Sequence, residues 1–306
     1  MAAAGALVAA ESILALTPIA IKKTPLDPIS VIWTRILSSA GIGYAVASNT
    51  DVTSTERLGA IAIGGTNLLH IASSYESFRH LPAGQAMSLL YTFPLWTVIF
   101  GALFGGDRIR TIEFAMIAVA TAGAVILNMD PTHVASVGAD AAGLGGAKAN
   151  RSWGIAMGLI MAMTEAGMHT LLHKMNWLDP AKAVWVVNSS AAVWLASLLG
   201  LQNLLFDSAA SPPTRGDLGD FVWLTVFHGF TLFSGYWLRF YSIPRLSTVT
   251  YSILSYTGLL AAFLFGLWFV GERPGWMSLI GATCIIGSGA VLQMMDSSGD
   301  KKQLEE

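Results

Sequence analysis

The stretch KKTPLDPISVIW, residues 22–33, returns later in the chain as KMNWLDPAKAVW, residues 174–185. Both stretches contain a Lys, a Leu-Asp-Pro triplet and a Trp in the same order, at a constant offset of 152 residues. Further pairs follow in collinear order, at offsets that drift only from 162 to 166: Leu81-Pro82 with Ile243-Pro244, Gly106-Asp107-Arg108 with Gly271-Glu272-Arg273, and Gly123-Ala124-Val125-Ile126 with Gly289-Ala290-Val291-Leu292. Because four collinear matches exceed what chance supplies, the pattern predicts a duplicated chain.

Apolar runs of about 20 residues alternate with polar stretches along both copies. Hydrophobic residues occupy 54% of the 306 positions and charged residues only 12%, against about 25% charged residues in ordinary soluble domains. Hydrocarbon offers no partner to backbone N–H and C=O groups, so such runs are predicted to be membrane-spanning helices. The predicted spans are Ala2–Ile21, Pro28–Ala47, Leu58–Tyr75, Ala83–Phe104, Ile112–Asn128, Trp153–His173, Ala183–Leu201, Phe221–Phe240, Ser247–Phe269 and Trp276–Met294.

The ten spans divide into two halves of five. Residues 1–130 form the first half and 153–295 the second, joined by a loop over 131–152 and followed by a charged tail, 296–306, that is predicted to be disordered. Five is an odd number, so the second half enters the membrane from the opposite face. The predicted fold is an all-α membrane protein with ten transmembrane helices in two inverted five-helix repeats, an arrangement typical of carriers that open one site alternately to each side.

Composition also argues against several classes of protein. A net charge of −2 gives no basic field for nucleic acid, and the single Cys284 cannot form an internal disulfide. Six histidines cannot build multi-histidine iron sites, and no phosphate loop of the Gly-x-x-x-x-Gly-Lys type occurs. We therefore expect no catalysis, no metal and no cofactor.

Loop charges bear on orientation. With both termini on one side, that side holds nine Lys and Arg residues, Arg239 among them, and the opposite side holds seven. The positive-inside rule then favours cytoplasmic termini. Residues Met1–Ile21 lack the basic start of a signal peptide and are interpreted as the first span.

With these motifs the chain resembles the drug/metabolite transporter superfamily, and within it the EamA-type ten-helix proteins. The resemblance rests on Trp33-Thr34-Arg35, on the stretch from Leu81-Pro82 to Gly106-Asp107-Arg108, and on its echo from Ile243-Pro244 to Gly271-Glu272-Arg273. It implies a transport protein with a central substrate cavity. Carriers of sugar phosphates in this superfamily are expected to present Lys or Arg from central helices. The ninth span has neither, which disfavours phosphate, although Arg35 and Arg239 could still contact it.

Ionisable residues inside spans are costly and need a reason. Glu11, in the first span, could exchange a proton, recognise a cation or make a structural hydrogen bond. Glu165 and His169 are four residues apart in the sixth span and share a helix face, so they could form a proton relay or a polar seam. His169 and His173 also form a His-x-x-x-His pair, but a metal enzyme is strongly disfavoured.

Other polar and aromatic residues at mid-span are candidates to line a substrate cavity, with ordinary packing as the alternative for each. They are Asn67, His70, Gln85, Tyr91, His228, Trp237, Ser255 and Tyr256. Arg35 is expected to have a structural role, either snorkelling to the interface or pairing with a carboxylate. Asp107 and Glu272, in the repeated Gly-acid-Arg triplet, are structural or gating candidates.

The sequence as a whole predicts a secondary transporter that moves a small organic solute by alternating access, with proton coupling or exchange as options. A non-transporting receptor or scaffold that retains the fold is the alternative. The expected partners are a small-molecule substrate and the lipid bilayer, with a homodimer left open and nucleic acid excluded. Substrate, direction of transport and the membrane that houses the protein do not follow from the sequence.

Overall fold

The regular structure of the protein consists of helices. The computed structural model describes residues 2–17, 24–48, 51–80, 86, 89–105, 110–129, 151–175, 179–206, 217–265, 275–277, 279–288 and 291, and none of these residues lies in a strand. The first helices are α1 (Ala2–Leu14), α2 (Pro28–Val46), α3 (Ser54–His80), α4 (Phe93–Phe100, continued by a π-helical turn over Gly101–Gly105) and α5 (Thr111–Asn128). The later helices are α6 (Arg151–Met175), α7 (Pro180–Phe206), α8 (Leu218–Ser242, followed by a 3₁₀ turn over Ile243–Arg245), α9 (Thr248–Ser255), α10 (Thr257–Phe265) and α11 (Leu279–Ser288).

Several helices have the length and composition of membrane spans. In the described part of the chain, four are long and apolar enough to cross a bilayer: Ile29–Val46, Ser152–His173, Pro180–Gln202 and Leu218–Arg245. Shorter apolar helices cover Ala2–Leu14, Phe93–Phe104, Thr111–Ile126 and Leu279–Ser288. The protein is therefore an all-α, multi-pass integral membrane protein, as the sequence predicts. Each of the ten predicted spans overlaps a described helix, while their number and their inversion stay predictions.

The repeated Leu-Asp-Pro triplet starts a helix in both halves. Asp27 caps α2 by accepting from the Ser30 amide at 3.0 Å, and Pro28 occupies the first turn. Asp179 accepts from the amides of Ala181 and Lys182 at 2.9 and 3.3 Å at the start of α7. An acidic cap followed by Pro suits a helix N-terminus, because the cap satisfies free amides and Pro has none to satisfy.

The predicted ninth span, Ser247–Phe269, is described as far as Phe265 and consists there of two helices separated by one residue, Tyr256. The Tyr256 amide bonds to the carbonyl three residues back at 3.1 Å instead of four, while its backbone stays right-handed helical, with φ −64° and ψ −14°. Beside this turn, the Thr257 hydroxyl donates to the Leu254 carbonyl at 2.6 Å. A prediction from apolar length alone merges α9 with α10.

The fourth segment breaks in the same way. Leu89 and Leu90 are helical, Tyr91 and Thr92 form a turn, and α4 starts at Phe93. The Thr92 hydroxyl donates to the Leu89 carbonyl at 2.7 Å, as Thr257 does to Leu254. Both breaks fall on a Leu-x-Tyr-Thr sequence, residues 89–92 and 254–257, at an offset of 165. The two breaks therefore lie at corresponding positions of the predicted halves, and we call them the paired breaks.

The chain divides into two compact units. Unit 1 contains Met1–Ala72 and Leu171–Arg245, and unit 2 contains Ser73–Thr170 and Leu246–Glu306. Each unit combines residues from both predicted halves, so the compact units and the sequence repeat divide the chain differently.

In unit 1, α2 packs on α7 and α8, and α1 packs on α8. A Cβ built at Gly43 of α2 would lie 2.8 Å from the Trp185 amide nitrogen and 3.0 Å from the Ala181 carbonyl oxygen, so glycine permits this backbone approach. Ser48, just beyond α2, bonds to Asp179 at the start of α7. The end of α2 therefore meets the beginning of α7, and the two helices are antiparallel.

In unit 2, α4 packs on α5 and α9. Val98, Ile117 and Ile253, one residue from each of these helices, are buried together and form an apolar cluster. The paired breaks lie on two elements of this unit that touch each other.

Candidate functional site

A buried ion pair joins α1 to α8 in unit 1. The Arg239 guanidinium donates from Nε and Nη2 to the two carboxylate oxygens of Glu11, at 2.7 and 3.0 Å. Glu11 is only 2% exposed and Arg239 7%. Two parallel charge-assisted bonds are the strongest way to hold a carboxylate away from water. Glu11, the predicted buried acid, is thus neutralised from α8.

This ion pair lowers the number of loop charges on the side that holds the termini. Arg239 is one of the nine residues assigned to that side, but it is buried within α8 and bound to Glu11. Without it the loop count falls from nine against seven to eight against seven, so the positive-inside rule carries less weight for this chain. Cytoplasmic termini stay a prediction.

The ring of Tyr236 contacts two guanidinium groups. Arg35, on α2, donates from Nη2 to the Tyr236 hydroxyl oxygen at 2.7 Å. The guanidinium carbons of Arg35 and Arg239 lie 5.6 and 5.7 Å from the ring centroid, within cation–π range. We refer to Glu11, Arg35, Tyr236 and Arg239 as the arginine cluster.

In the described part of the chain, Arg35 shows neither of the two arrangements expected for it, snorkelling to the interface or pairing with a carboxylate. Its side chain is buried, with 7% of the residue exposed, so it does not snorkel. Its hydrogen bond goes to the neutral Tyr236. No carboxylate among the described residues lies within ion-pair distance of it.

His228, also on α8, makes a second polar contact with α2. Its Nδ1 lies 3.1 Å from the Thr34 hydroxyl, and that hydroxyl donates its own proton to the Val31 carbonyl at 2.8 Å. Because Thr34 has one proton to give, neutral His228 donates from Nδ1–H, and its Nε2 is an acceptor. This nitrogen is fully buried and has no hydrogen-bond partner in the part of the chain that the structure describes.

The remaining candidates of unit 1 differ in placement. Asn67 and His70 are buried, and Asn67 approaches Asn188 of α7 at 3.5 Å. Trp237 is 37% exposed, whereas its neighbour Tyr236 is 8% exposed. The structure therefore does not bring Trp237 to the buried face of α8 that contains the arginine cluster and His228.

A second polar group, nearer the helix ends, connects α2, α3 and α7. The Ser48 amide and hydroxyl both donate to one Asp179 oxygen, at 3.0 and 2.8 Å. Burial opposes ionisation of Asp179, but the bonds from Ser48, Lys182 and Ala181 outweigh it and lower the pKa of this carboxyl. The network therefore keeps Asp179 ionised at neutral pH.

Lys182 extends this group to α3. Its ammonium nitrogen lies 2.9 Å from a carboxylate oxygen of Glu56. The Thr53 amide, followed by the Lys182 side chain, lowers the pKa of Glu56. Three helix ends are thus held together by carboxylates that stay charged at neutral pH.

In unit 2, Glu165 and His169 lie one turn apart on α6, as their spacing predicts. Both are buried, with 5% and 3% exposed. The His169 ring packs on Tyr251 of α9, with 4.1 Å between ring centroids. His173, one turn further, is exposed. The buried face therefore contains an acid and an imidazole, two groups that can exchange protons.

The remaining candidates of unit 2 lie at the paired breaks. Tyr256 is fully buried, and its hydroxyl is 2.6 Å from that of Thr121 on α5. Tyr91 is buried, with its ring centroid 6.3 Å from that of Phe93. The Ser255 hydroxyl donates to the Tyr251 carbonyl of its own helix at 2.8 Å, which favours the packing interpretation for Ser255.

Three candidates, Gln85, Asp107 and Glu272, lie outside the described residues. Tyr236, Thr34 and the two break threonines were missed by sequence reasoning. The spacing of His228, Tyr236 and Arg239 on one face of α8 was an available signal, as was the Leu-x-Tyr-Thr repeat. The pairing of Glu11 with Arg239 had no local signal, because 228 residues separate them.

Each unit has its own buried polar face, with charges or hydrogen-bonding groups that could hold a solute. In the described part of the chain, no group of three or more His, Cys, Asp or Glu side chains is placed to hold a metal ion. Binding and proton exchange are the chemistry that these residues can perform.

Comparison with known proteins identifies the family of the chain. A solved protein structure is similar to the chain with a TM-score of 0.74 and 16% sequence identity, covering 96% of this chain and 98% of that one; at this identity the likeness shows the fold alone. No curated protein sequence matches. The family model described as "EamA-like transporter family" matches residues 1–129 and 152–293. Since these two segments cover most of the chain, the protein belongs to the EamA-like transporter family of the drug/metabolite transporter superfamily, a family of membrane transporters of small solutes.

Proposed function

We propose that the protein is a secondary carrier that moves a small organic solute by alternating access, without ATP. The observation that carries the proposal is the pair of breaks at Tyr91-Thr92 and Tyr256-Thr257. In carriers built from inverted repeats, helices interrupted at corresponding positions of the two halves form substrate and ion sites near the middle of the membrane. Interrupted helices are tolerated there because the freed backbone groups face a cavity or a ligand.

The direction of α2 and α7 supports the inversion that alternating access requires. These helices begin with the same Asp-Pro pair at an offset of 152, so they are the corresponding second helices of the two halves. Copies related by inversion cross the membrane in opposite directions. The contacts of Gly43 with α7 and of Ser48 with Asp179 support antiparallel packing. This agrees with ten spans in two inverted halves.

If transport is coupled to protons, we infer that Glu165 and His169 carry the coupling and Glu11 does not. A coupling carboxylate has to gain and lose a proton during the cycle. Glu11 is held as an anion by two bonds from Arg239, which opposes protonation. Glu165 lies one turn from an imidazole, the side chain best suited to exchange protons near neutral pH.

Solute flux into liposomes containing the purified protein tests the carrier. The panel contains amino acids, nucleosides, sugars, sugar phosphates and organic cations, each with and without a pH gradient. Saturable flux of at least one class is expected. Absence of flux for every class would contradict the carrier and favour a receptor or scaffold that retains the fold.

Two pairs of variants make the flux measurement specific. Thr257→Val removes the hydroxyl at a break and should slow flux, whereas Thr225→Val removes an ordinary bond to Phe221 within α8 and should not. Glu165→Gln should flatten the pH dependence of flux. An unchanged pH profile in Glu165→Gln, together with a flattened one in the double variant Glu11→Gln/Arg239→Gln, would reverse the assignment of coupling.

A further inference from the structure

Arg35 is a buried cation whose charge is not offset by its described neighbours. The hydrogen bond to Tyr236 is made to a neutral hydroxyl, which orients the guanidinium without neutralising it. The nearby Glu11 is engaged by Arg239 through both carboxylate oxygens. The arginine cluster contains two guanidinium groups and one carboxylate, so its net charge is one positive charge.

The Arg35 guanidinium has the donors that an anion needs. An Arg has five N–H donors, and the only side chain to which Arg35 donates in the described chain is Tyr236, through Nη2. A guanidinium presents its donors as a planar fork that matches a carboxylate. Tyr236 fixes the orientation of this fork, since it contacts Arg35 through both its hydroxyl and its ring face. A preoriented fork loses less side-chain freedom on binding.

We propose that Arg35 is the binding site for the carboxylate group of the transported solute. This deepens the proposed function and rests on it. A single excess positive charge is neutralised by a singly charged carboxylate, whereas a phosphate monoester would leave negative charge over. The same count distinguishes Arg35 from Arg239, which already has its anion.

The experiment measures binding separately from transport. The purified full-length protein is placed in nanodiscs of neutral phosphatidylcholine, and its Tm is followed against benzoate and lactate, with their methyl esters as uncharged controls. We expect both carboxylates to raise the Tm in a dose-dependent way, and the esters to have no effect. Equal shifts with acids and esters, or no shift at all, would overturn the proposal.

Variants assign the effect to Arg35. Arg35→Gln should weaken carboxylate binding by about 30-fold or more, the loss typical when one partner of a buried charged contact is removed. Arg245→Gln is the matched control, because Arg245 also stacks on a tyrosine, Tyr241 at 4.1 Å, but is exposed and outside the cluster. Should Arg35→Gln not fold, Arg35→Lys keeps the charge and loses the fork, and a weaker shift is still expected. Unchanged binding in either Arg35 variant would refute the assignment.

Two further measurements distinguish a solute site at Arg35 from a lipid-headgroup site, and failure of this site from failure of the proposed carrier function. In nanodiscs containing phosphatidylglycerol, a higher starting Tm that depends on Arg35, with no further shift from carboxylates, would identify a lipid headgroup as the ligand and overturn the solute assignment. Carboxylate binding without flux in liposomes would contradict the carrier but uphold the site. Flux of neutral solutes alone, with no change of Tm on adding carboxylates, would uphold the carrier but contradict the carboxylate site at Arg35.

Discussion

A charged side chain inside a bilayer is tolerated where another group neutralises it nearby, and Glu11 and Arg239 provide this for each other. Their bidentate contact fixes α1 against α8 at one point along both helices. Tyr236 then links this pair to Arg35 on α2. At the scale of single residues, three helices of unit 1 are therefore aligned by charge as well as by apolar packing.

Removing one partner of the pair of Glu11 and Arg239 should lower the stability of the protein much more than removing both. Glu11→Gln leaves the buried Arg239 guanidinium without its counter-ion, and we expect a loss of about 3–5 kcal/mol in stability. The double variant Glu11→Gln/Arg239→Gln removes both charges and should recover most of that loss. Thermal unfolding in detergent measures both.

Arg110→Gln serves as the control for this prediction. Its partner Glu113 lies three residues away and its own side chain is 52% exposed, so the effect should stay below about 1 kcal/mol. A double variant no more stable than Glu11→Gln alone would show that the two charges do not act as a pair.

Buried charged residues can be predicted from the sequence more easily than their partners can. Glu11, Glu165 and His169 stand out because charge within an apolar run is costly, and all three are buried. Their partners do not stand out, since ion pairing across 228 residues leaves no local pattern. Tyr236 is uncharged and resembles any aromatic residue of a span, so its contact with two arginines emerges only from the folded chain.

At the scale of helices, the close approach of α2 to α7 depends on one glycine. A methyl group at Gly43 would meet the backbone of α7 at 2.8–3.1 Å, and backbone atoms cannot rotate aside as a side chain can. Gly41, on the same helix, has nothing within 4 Å of its Cβ position. The two glycines offer a matched pair.

We expect the two alanine variants to change stability in opposite directions. Gly41→Ala should stabilise the protein by up to about 1 kcal/mol, because alanine is the better helix former. Gly43→Ala should destabilise it by about 1–3 kcal/mol, the usual cost of overpacking. Thermal unfolding of both variants checks the difference, and equal shifts would mean that α2 and α7 are further apart than described.

Helix positions are easier to predict than helix breaks. Apolar length locates the spans because the bilayer sets that length. It does not detect a one-residue turn such as the one at Tyr256, between α9 and α10. For the fourth segment a signal was present: Pro94 has no amide proton and so cannot bond to Leu90 within a helix.

At the scale of the whole chain, the apolar composition indicates a membrane protein, and the duplication suggests transport by alternating access. The membrane class and the transporter family follow from features spread over hundreds of residues, so errors in single boundaries matter little. The division into compact units could not be predicted from the repeat, because each unit takes residues from both halves. Pairing between distant helices depends on complementary surfaces, which a single sequence does not display.

Ten spans require both termini to lie on the same side of the membrane. Epitope tags at Met1 and Glu306 should therefore behave alike towards an impermeant label. Either both are labelled in intact cells, or both are labelled only after permeabilisation. Cytoplasmic termini predict labelling after permeabilisation. Labelling of one tag alone in intact cells would imply an odd number of spans and contradict the inverted halves.

The bonds from Ser48 to Asp179 give α2 a pivot. Asp179 caps α7 and also holds the end of α2, whereas the bonds of Asp27 within the described residues all go to its own helix. If α2 tilted about this joint, its 19 residues would form an arm about 28 Å long. A tilt of about 10° would move the Asp27 end by about 5 Å, roughly the width of a small solute, while the Ser48 end would hardly shift. Such a tilt would keep the bonds between Ser48 and Asp179. Separating the Ser48 end of α2 from the start of α7 would instead break both of these bonds.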